Sequence, residues 1–529
     1  MPSRPDSGAA SGAPVAPARP LPHTSAVTGV LEALAFFRDP EFAQKRFAEY
    51  GNVFATSLLG QPLVFIRGGQ AIGDLLAQPD GCEGWWPASV RQLLGSRSLA
   101  NRNGPDHRAR RRVVGQLFSA AALRRYSPGI VALVDKLAEE LAAATTPVPL
   151  VDRLRRFAFA VIASVVLGLK GDDREALFHD FELWTRALFS VPLALPGTPF
   201  ARALQARRRL LERLGAVLRR SRERAAAGEP LAGGLDLLSG GLDEAGLPLD
   251  DADVVEQLLL LLFAGYETTA SSLSCLMTAV LQHPELEPWW QPELATLPWP
   301  PAPEQAASAY DPAAAPKLAA LINEVMRLNP PVGGFFRRTT RELVLDGVAV
   351  PAGQVVQVAL AASNRYAGAA VPAIPGDRRE RSASSDRNDL SDPNNPQKPT
   401  NQEAPPANRG EPPVRVELND QTGLDVPDDL ATFRPQRHLE PGNAPTLLPF
   451  GGGERVCLGK ALAELEIRLM AVGLLGRLKL RLAPDQDLSL QLIPSPSPRG
   501  GLQVLPLTPL EPQTGTPVAH TLADPSLAD

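Results

Sequence analysis

No stretch limits the fold of this chain more than Phe450-Gly-Gly-Gly453-Glu-Arg455-Val-Cys457-Leu-Gly459, which sets one cysteine in a glycine-rich turn directly before an apolar run. Within Leu458 to Leu475, Leu462, Leu465, Leu469 and Val472 recur at helical spacing, so Cys457 is expected at or just before a helix N-terminus. Unpaired N–H groups and the positive end of the helix dipole favour thiolate over thiol there, and thiolate is the form that binds iron. The neighbours suit that task. Gly451 to Gly453 can take the positive φ of a tight turn, and Gly459 lets the first helical turn press on a flat ring. Arg455 offers a guanidinium fork to a carboxylate, and Phe450 can shield the sulfur. The pattern reads as a socket for a cysteine-ligated haem, against the plainer alternative of a turn leading to a buried structural cysteine.

Length and composition bound the rest. With 529 residues and 44% hydrophobic content the chain can bury a large core, and its motifs span enough of it to favour one big domain over several. The net charge of -5 argues against nucleic acid as the main partner. Cys82, Cys275 and Cys457 are too few and too scattered for a disulfide framework or a zinc site, which suits a reducing cytoplasm. The apolar runs Phe157 to Leu169 and Leu258 to Ala264 fall short of the ~18–20 residues of a spanning helix. No transmembrane segment is therefore expected, and Met1 to Thr24 lacks the apolar core of a signal peptide. Residues 1–25 read as a disordered leader, 26–506 as the folded domain, and 507–529 as a loose tail. A polar insertion at about 368–425, poorest in apolar residues from Gly376 to Asn419, reads as a disordered surface loop.

Helical patterns dominate the first two thirds: Ala122 to Ala144, Leu150 to Leu169, Arg202 to Ala227, Asp251 to Gln282 and Pro316 to Leu328. Val53 to Arg67 reads as a hairpin, and Leu343 to Val358 alternates around Asp346-Gly347. In the middle of Asp251 to Gln282 stands Ala264-Gly265-Tyr266-Glu267-Thr268-Thr269, an acid and two hydroxyls where a buried helix should avoid them. Glu324 and Arg327 lie three apart on one helix face, followed by Asn329-Pro330-Pro331, and Phe433-Arg434-Pro435-Gln436-Arg437 comes shortly before the cysteine loop. Gly104-Pro-Asp-His107-Arg-Ala-Arg-Arg111 carries His and Arg one helical turn apart.

Taken together these motifs resemble the cytochrome P450 family, over roughly residues 29–366 and 427–506. The resemblance implies a mainly α fold with small β-sheets (α+β), a single large domain around a buried haem b (iron protoporphyrin IX). Cys457 is then the axial ligand of the iron, and Phe450, Gly453, Arg455 and Gly459 its cofactor-binding loop. Ala264 and Gly265 would leave room for dioxygen on the distal helix, with Thr268 and Glu267 steering water and protons to it. The plainer reading has Thr268 bonding the carbonyl one turn back and Glu267 reaching solvent. His107, Arg111 and Arg337 would take haem carboxylates, against an exposed basic helix end. Glu324, Arg327 and Arg437 would form a structural triad, with His438 standing where the family often has an aromatic residue. The common eukaryotic membrane anchor is missing, which implies a soluble cytoplasmic protein.

Trp86 to Gly95, Ser98 to Asn101 and Asn323 to Gly334 are similar to the retinoic-acid-hydroxylating clan and its soluble cyanobacterial relatives. Trp85, Trp86, Leu93, Leu94, Phe263, Val332, Phe335 and Phe336 offer an apolar lining for a small lipophilic substrate, possibly retinoid or apocarotenoid-like, or else ordinary core. Such a substrate would also suit peripheral contact with a membrane. Three functions stand side by side: a haem-thiolate monooxygenase using dioxygen and two external electrons, a haem-thiolate isomerase or peroxygenase without an electron partner, and a non-catalytic haem or lipid binder. The chain has no flavin, nicotinamide or iron–sulfur fingerprint, so a monooxygenase here implies a separate ferredoxin or flavodoxin with its reductase.

Overall fold

The computed structural model describes residues 17–24, 29–39, 41–58, 60–169, 171–188, 190–228, 233–242, 245–366, 428–440 and 447–509. The first sixteen positions of the leader, the insertion at 368–425 and the tail from 510 onward lie outside the described residues. One expectation is corrected at once. Order begins well before Gly29: Arg19 N–H donates to the Gly347 carbonyl at 2.8 Å, Ala55 N–H to Pro22 at 2.7 Å, and Thr24 Oγ1 to Thr56 Oγ1 at 2.8 Å. A Pro-rich segment without a core of its own is thus held by backbone groups of strands already formed.

The core is helical. The helices that build the site are α1 (Gly104–Gly115), α2 (Ala120–Ala142), α3 (Leu150–Ala160), α4 (Gly171–Thr185), α5 (Pro199–Ala226), α6 (Asp251–Gln282), α7 (Pro316–Leu328) and α8 (Lys460–Leu475). The longest, α6, starts where the sequence dictates: the Asp250 carboxylate accepts from Asp253 N–H at 2.7 Å, and Asp251 and Asp253 add negative charge to the first turn. It is apolar almost all round and packs against α3, α5, α7 and α8. By length and composition α6 could cross a membrane, but most of its surface is buried inside the protein. Each fully buried leucine, such as Leu262 or Leu273, contributes about 1.5–3 kcal/mol. Helix α3 runs on into a π-helical turn, Val161–Val166, instead of continuing as α-helix to Leu169.

Strands β1 (Val53–Leu58), β2 (Gln61–Ile66), β3 (Cys82–Gly84), β4 (Gly334–Thr339) and β5 (Val355–Ala359) form one sheet in the order β1-β2-β5-β4-β3. The β1–β2 hairpin is the one the alternation predicts, closing at Leu58 opposite Gln61. In the β3–β4 pair, Gly84 stands opposite Arg337 and Glu83 opposite Arg338. That register delivers Arg337 to the site.

Beneath the core, α7 carries Glu324 and Arg327, both wholly buried. Arg327 grips Glu324 with two nitrogens at 2.8 and 2.9 Å, Arg437 Nε reaches it at 3.0 Å, and Arg434 N–H donates at 2.9 Å. The expected triad therefore closes, and His438 makes it a quartet, with Nε2 2.9 Å from Glu324 Oε2. Arg327 also donates to the carbonyls of Asn364, Leu430 and Thr432, tying α7 to the chain on both sides of the insertion. Burial alone would raise the Glu324 carboxyl, but the hydrogen bonds from Arg327 and His438 and the Arg327 charge outweigh it and bring it down to about 2.

Because that value lies below the ordinary 4.5, the stabilisation is fully present above pH 4.5 and is lost as pH falls toward 2. It amounts to on the order of 3 kcal/mol. Glu324→Gln leaves two buried guanidinium groups without their partner and should cost about 3–5 kcal/mol in urea unfolding at pH 7. The gap between wild type and variant should narrow as pH falls from 5 toward 2. A gap independent of pH would contradict the assignment.

Candidate functional site

The cysteine loop is held by its own backbone. Cys457 N–H donates to the Phe450 carbonyl at 2.9 Å, Gly451 N–H to Leu448 at 2.9 Å, and Val456 N–H to Gly453 at 3.1 Å. Gly451 and Gly453 take φ of 72° and 68°, as the turn requires, whereas Gly452 is extended. Gly459 is the residue before α8 and needs no unusual φ. A side chain at Gly459 would meet the Phe118 ring at 3.6 Å and Cys457 Sγ at 4.0 Å. Its N–H donates to the Cys457 sulfur. Burial nonetheless pushes the Cys457 thiol up, and the Gly459 N–H, Arg111 and Lys460 only partly oppose this. The helix start therefore does not by itself make a thiolate, contrary to the expectation from sequence. Cys457 is nevertheless accessible, its sulfur open to a concavity while protein crowds its other sides. A metal cation at the sulfur would supply the missing stabilisation of the anion. The Phe450 ring has Lys460 Nζ 6.0 Å from its centroid.

Beside the loop, four basic side chains converge from three parts of the fold. His107 and Arg111 lie one turn apart on α1, as the spacing predicts, and His107 is buried. Arg111 donates to the carbonyl of Val456, the residue before the cysteine, at 2.7 Å. Arg337, buried on β4, lies 4.6 Å from the Phe335 ring centroid and donates to the Phe336 carbonyl at 2.8 Å. Arg455 donates to the Arg102 carbonyl and to Asn103 Oδ1. Burial pushes Arg337 down to about 10 with Arg455 repelling it, and lowers Arg455 as well. His107 is pushed to about 4, first by burial and then by Arg455, Arg111 and Arg337, so it is neutral at pH 7.

Among the described residues neither Arg337 nor Arg455 has an ion pair. The neighbouring carboxylates Glu83 and Glu454 reach Arg338 at 3.9 Å and Arg108 at 3.8 Å instead. Buried guanidinium groups are ordinarily paired, so this cluster calls for an anion with more than one carboxylate. Iron protoporphyrin has two. The thiol and the neighbouring cations fit it as ligand and counter-charges.

Sequence reasoning missed Gly84 and Asn103. Gly84 N–H donates to Asn103 Oδ1 at 2.8 Å, and a Cβ on Gly84 would fall 2.3 Å from Arg455 Cζ. Only glycine lets the arginine lie across β3. No local pattern announces this, because the contact joins residues far apart in sequence.

On α6, Ala264 is exposed and Thr268 half-buried in the middle of a buried helix, one turn apart on a single face. Thr268 Oγ1 donates to the Ala264 carbonyl at 2.7 Å, which is the plainer of the two expectations for it. Glu267 does not reach freely into solvent. It is buried, 3.7 Å from Arg155 of α3, and faces a polar cleft of about 410 Å³ with Tyr266, Glu182 and Arg186. Burial raises its pKa, Arg155 opposes this, and Glu182 adds to it. Gly265 serves packing more than it makes room: a Cβ there would come within 3.1 Å of Ile162 in the π-helical turn.

Of the expected apolar lining, Leu93 and Leu94 are core, and Trp85 is buried edge-on against Phe336 with centroids 5.4 Å apart. Val332 is exposed, while Trp86, Phe263, Phe335 and Phe336 are half-buried and remain available to a ligand.

Comparison with known proteins agrees with this geometry. The cytochrome P450 family model matches residues 30–366 and 429–505. Cytochrome P450 120 of Synechocystis is 30% identical over 89% of this chain and 93% of its own length. Human cytochrome P450 26C1 is 30% identical over 88% of this chain and 85% of its own. The solved structure of retinoic acid-bound cyanobacterial CYP120A1 superposes with a TM-score of 0.73 at 28% identity, covering 93% of this chain and all of that one. With a cysteine loop, a distal helix and a buried carboxylate lock all in the arrangement described, and a family match over most of its length, this chain belongs to the cytochrome P450 family of haem monooxygenases.

Proposed function

We propose that this enzyme hydroxylates a lipophilic, retinoid-like substrate, using haem b held by Cys457, dioxygen, and two electrons from a separate ferredoxin or flavodoxin with its reductase. The observation that carries the cofactor part is the meeting of an accessible cysteine sulfur with buried, unpaired Arg337 and Arg455. The substrate part is supported by half-buried Trp86, Phe263, Phe335 and Phe336, and by the retinoic acid seen in the related cyanobacterial structure.

When bound, haem supplies the oxygen-activating chemistry. Everything else is the work of the chain. Cys457 offers a sulfur whose charge the Gly459 N–H helps to hold. Arg337, Arg455, Arg111 and His107 orient the two carboxylates and so fix the rotation of the ring. Arg111 binds the Val456 carbonyl as well, so the carboxylate side and the sulfur side are held by one residue. Thr268, which gives its own proton to Ala264, keeps its lone pairs as acceptors on the face that Ala264 opens. Glu267 stands one residue away on the adjoining face. Its raised pKa brings it closer to the operating pH, as a proton donor requires, and the polar cleft lets it recover a proton from water. The substrate contributes few polar contacts, so its orientation rests on shape.

Incubating the purified protein with retinoic acid, a ferredoxin system, NADPH and isotopically labelled dioxygen tests the reading. One labelled oxygen per product molecule is expected, and no product with any lipophilic acid offered would contradict it. Thr268→Ala should leave haem content within about 10% while product per electron falls severalfold and peroxide rises. Unchanged coupling would remove Thr268 from the mechanism. Gly84→Ala should displace Arg455 and speed haem loss by on the order of tenfold, measured by transfer to apomyoglobin. Equal retention would contradict the role given to Arg455.

A further inference from the structure

Between α4 and α5 the chain turns outward. Residues 191–197, Val-Pro-Leu-Ala-Leu-Pro-Gly, are exposed without interruption, and Val191, Leu193 and Leu195 are 66%, 49% and 57% exposed. Three large apolar side chains within five positions form a contiguous exposed patch of the kind that marks an interaction surface. The loop hides its own polar groups. Leu193 N–H donates to Val191 at 2.7 Å and Thr198 N–H to Leu195 at 3.1 Å, while Thr198 Oγ1 serves the carbonyls of Leu193 and Leu195 at 2.5 and 2.8 Å. Pro192 and Pro196 have no N–H to satisfy. A loop with apolar side chains outside and backbone groups paired inside is suited to a medium poor in hydrogen bonds.

Its flanks carry one sign of charge. No Asp or Glu occurs from residue 183 to 211, whereas Arg186, Arg202, Arg207, Arg208 and Arg209 do, in a chain of net charge -5. Arg207 pairs with Glu256 at 2.5 Å, Arg209 with Asp180 at 2.6 Å, and Arg186 with Glu182 at 3.6 Å. Arg202 and Arg208 are exposed and make no ion pair among the described residues. At 1.5 Å of rise per residue they stand about 5 and 14 Å along α5 from Pro199, close to the ~10 Å Debye length of dilute salt. Apolar tip and basic shoulder are therefore felt by one surface.

We propose that the 191–197 loop, with Arg202 and Arg208 beside it, docks the enzyme reversibly on an anionic lipid bilayer. The paired backbone favours lipid over a second protein, whose strands or side chains would seek free N–H and carbonyl groups, and the unpaired arginines favour anionic over zwitterionic headgroups. The docking itself follows from the outside of the molecule. Only its purpose, collecting a lipophilic substrate from the bilayer, rests on the reading above.

Flotation of the haem-loaded protein with vesicles of phosphatidylcholine, with and without phosphatidylglycerol, tests this without turnover. Binding to the anionic vesicles is expected at low salt and should weaken at high salt. The triple variant Val191→Ser, Leu193→Ser, Leu195→Ser should reduce partitioning by on the order of tenfold, with melting temperature unchanged because these side chains pack on nothing. Arg202→Gln with Arg208→Gln should reduce it roughly fivefold per charge and flatten the salt dependence. Absence of binding by the wild type at low salt, or full binding by the triple variant, would overturn the proposal. So would a concentration-dependent dimer in light scattering that the triple variant dissolves, since the loop would then serve a second copy. Retinoid turnover is read separately, so either reading can fail alone.

Discussion

Positive charge buried without a protein counter-ion is the constraint on which the rest of this structure depends. Arg337 and Arg455 lie in the interior with their neighbouring carboxylates committed elsewhere, and His107 is driven neutral by the field they create with Arg111. Such a cluster is costly in isolation and becomes favourable only with an anion of matching shape. Long-range features of the fold converge on it. The β3–β4 register delivers Arg337, Gly84 makes room for Arg455, and α1 carries both His107 and the arginine that ties down the cysteine loop. The sulfur shows the same logic from the other side. Burial disfavours its anion, and a few donors cannot reverse that, so its charge too is completed by what binds there.

Two buried glutamates show how environment divides one residue type between two tasks. Glu324 receives Arg327, Arg437, His438 and a backbone N–H, and these hold it ionised far below the usual carboxylate range. A group so fully committed cannot exchange protons near neutrality; it fixes the proximal side. Glu267 has one cation, Arg155, at 3.7 Å and a second acid, Glu182, nearby. Burial dominates, its pKa rises, and it faces a cleft that water can enter. The first is structural because its charge is saturated, and the second is available for chemistry because its charge is not.

Local signals carried much of this into the sequence. Asp250 caps α6 and Pro316 opens α7, and both helices begin and end where the pattern places them. Asp346-Gly347 takes positive φ at both residues, as its hairpin requires. What stayed hidden lies in contacts between distant segments. His438 could be read only as a departure from an aromatic preference, yet the fold turns it onto Glu324, more than a hundred residues earlier. Leu93 and Leu94 have the composition of a ligand lining, but α5 and α6 cover them. Gly265 suggested open space, whereas a π-helical turn that no periodicity announces occupies the adjoining volume with Ile162. The leader's residues 17–24 look structureless alone because their order comes from the strand backbones they join.

The most direct test of this account is the absorption spectrum of the reduced, carbon monoxide-treated protein, since its position reports the ligand opposite the gas. A strongly red-shifted Soret band is expected for the wild type, and Cys457→Ser should lose that band while retaining bound haem through the arginine cluster. A red-shifted band that survives in a folded Cys457→Ser protein would place the ligand elsewhere and contradict the site described here.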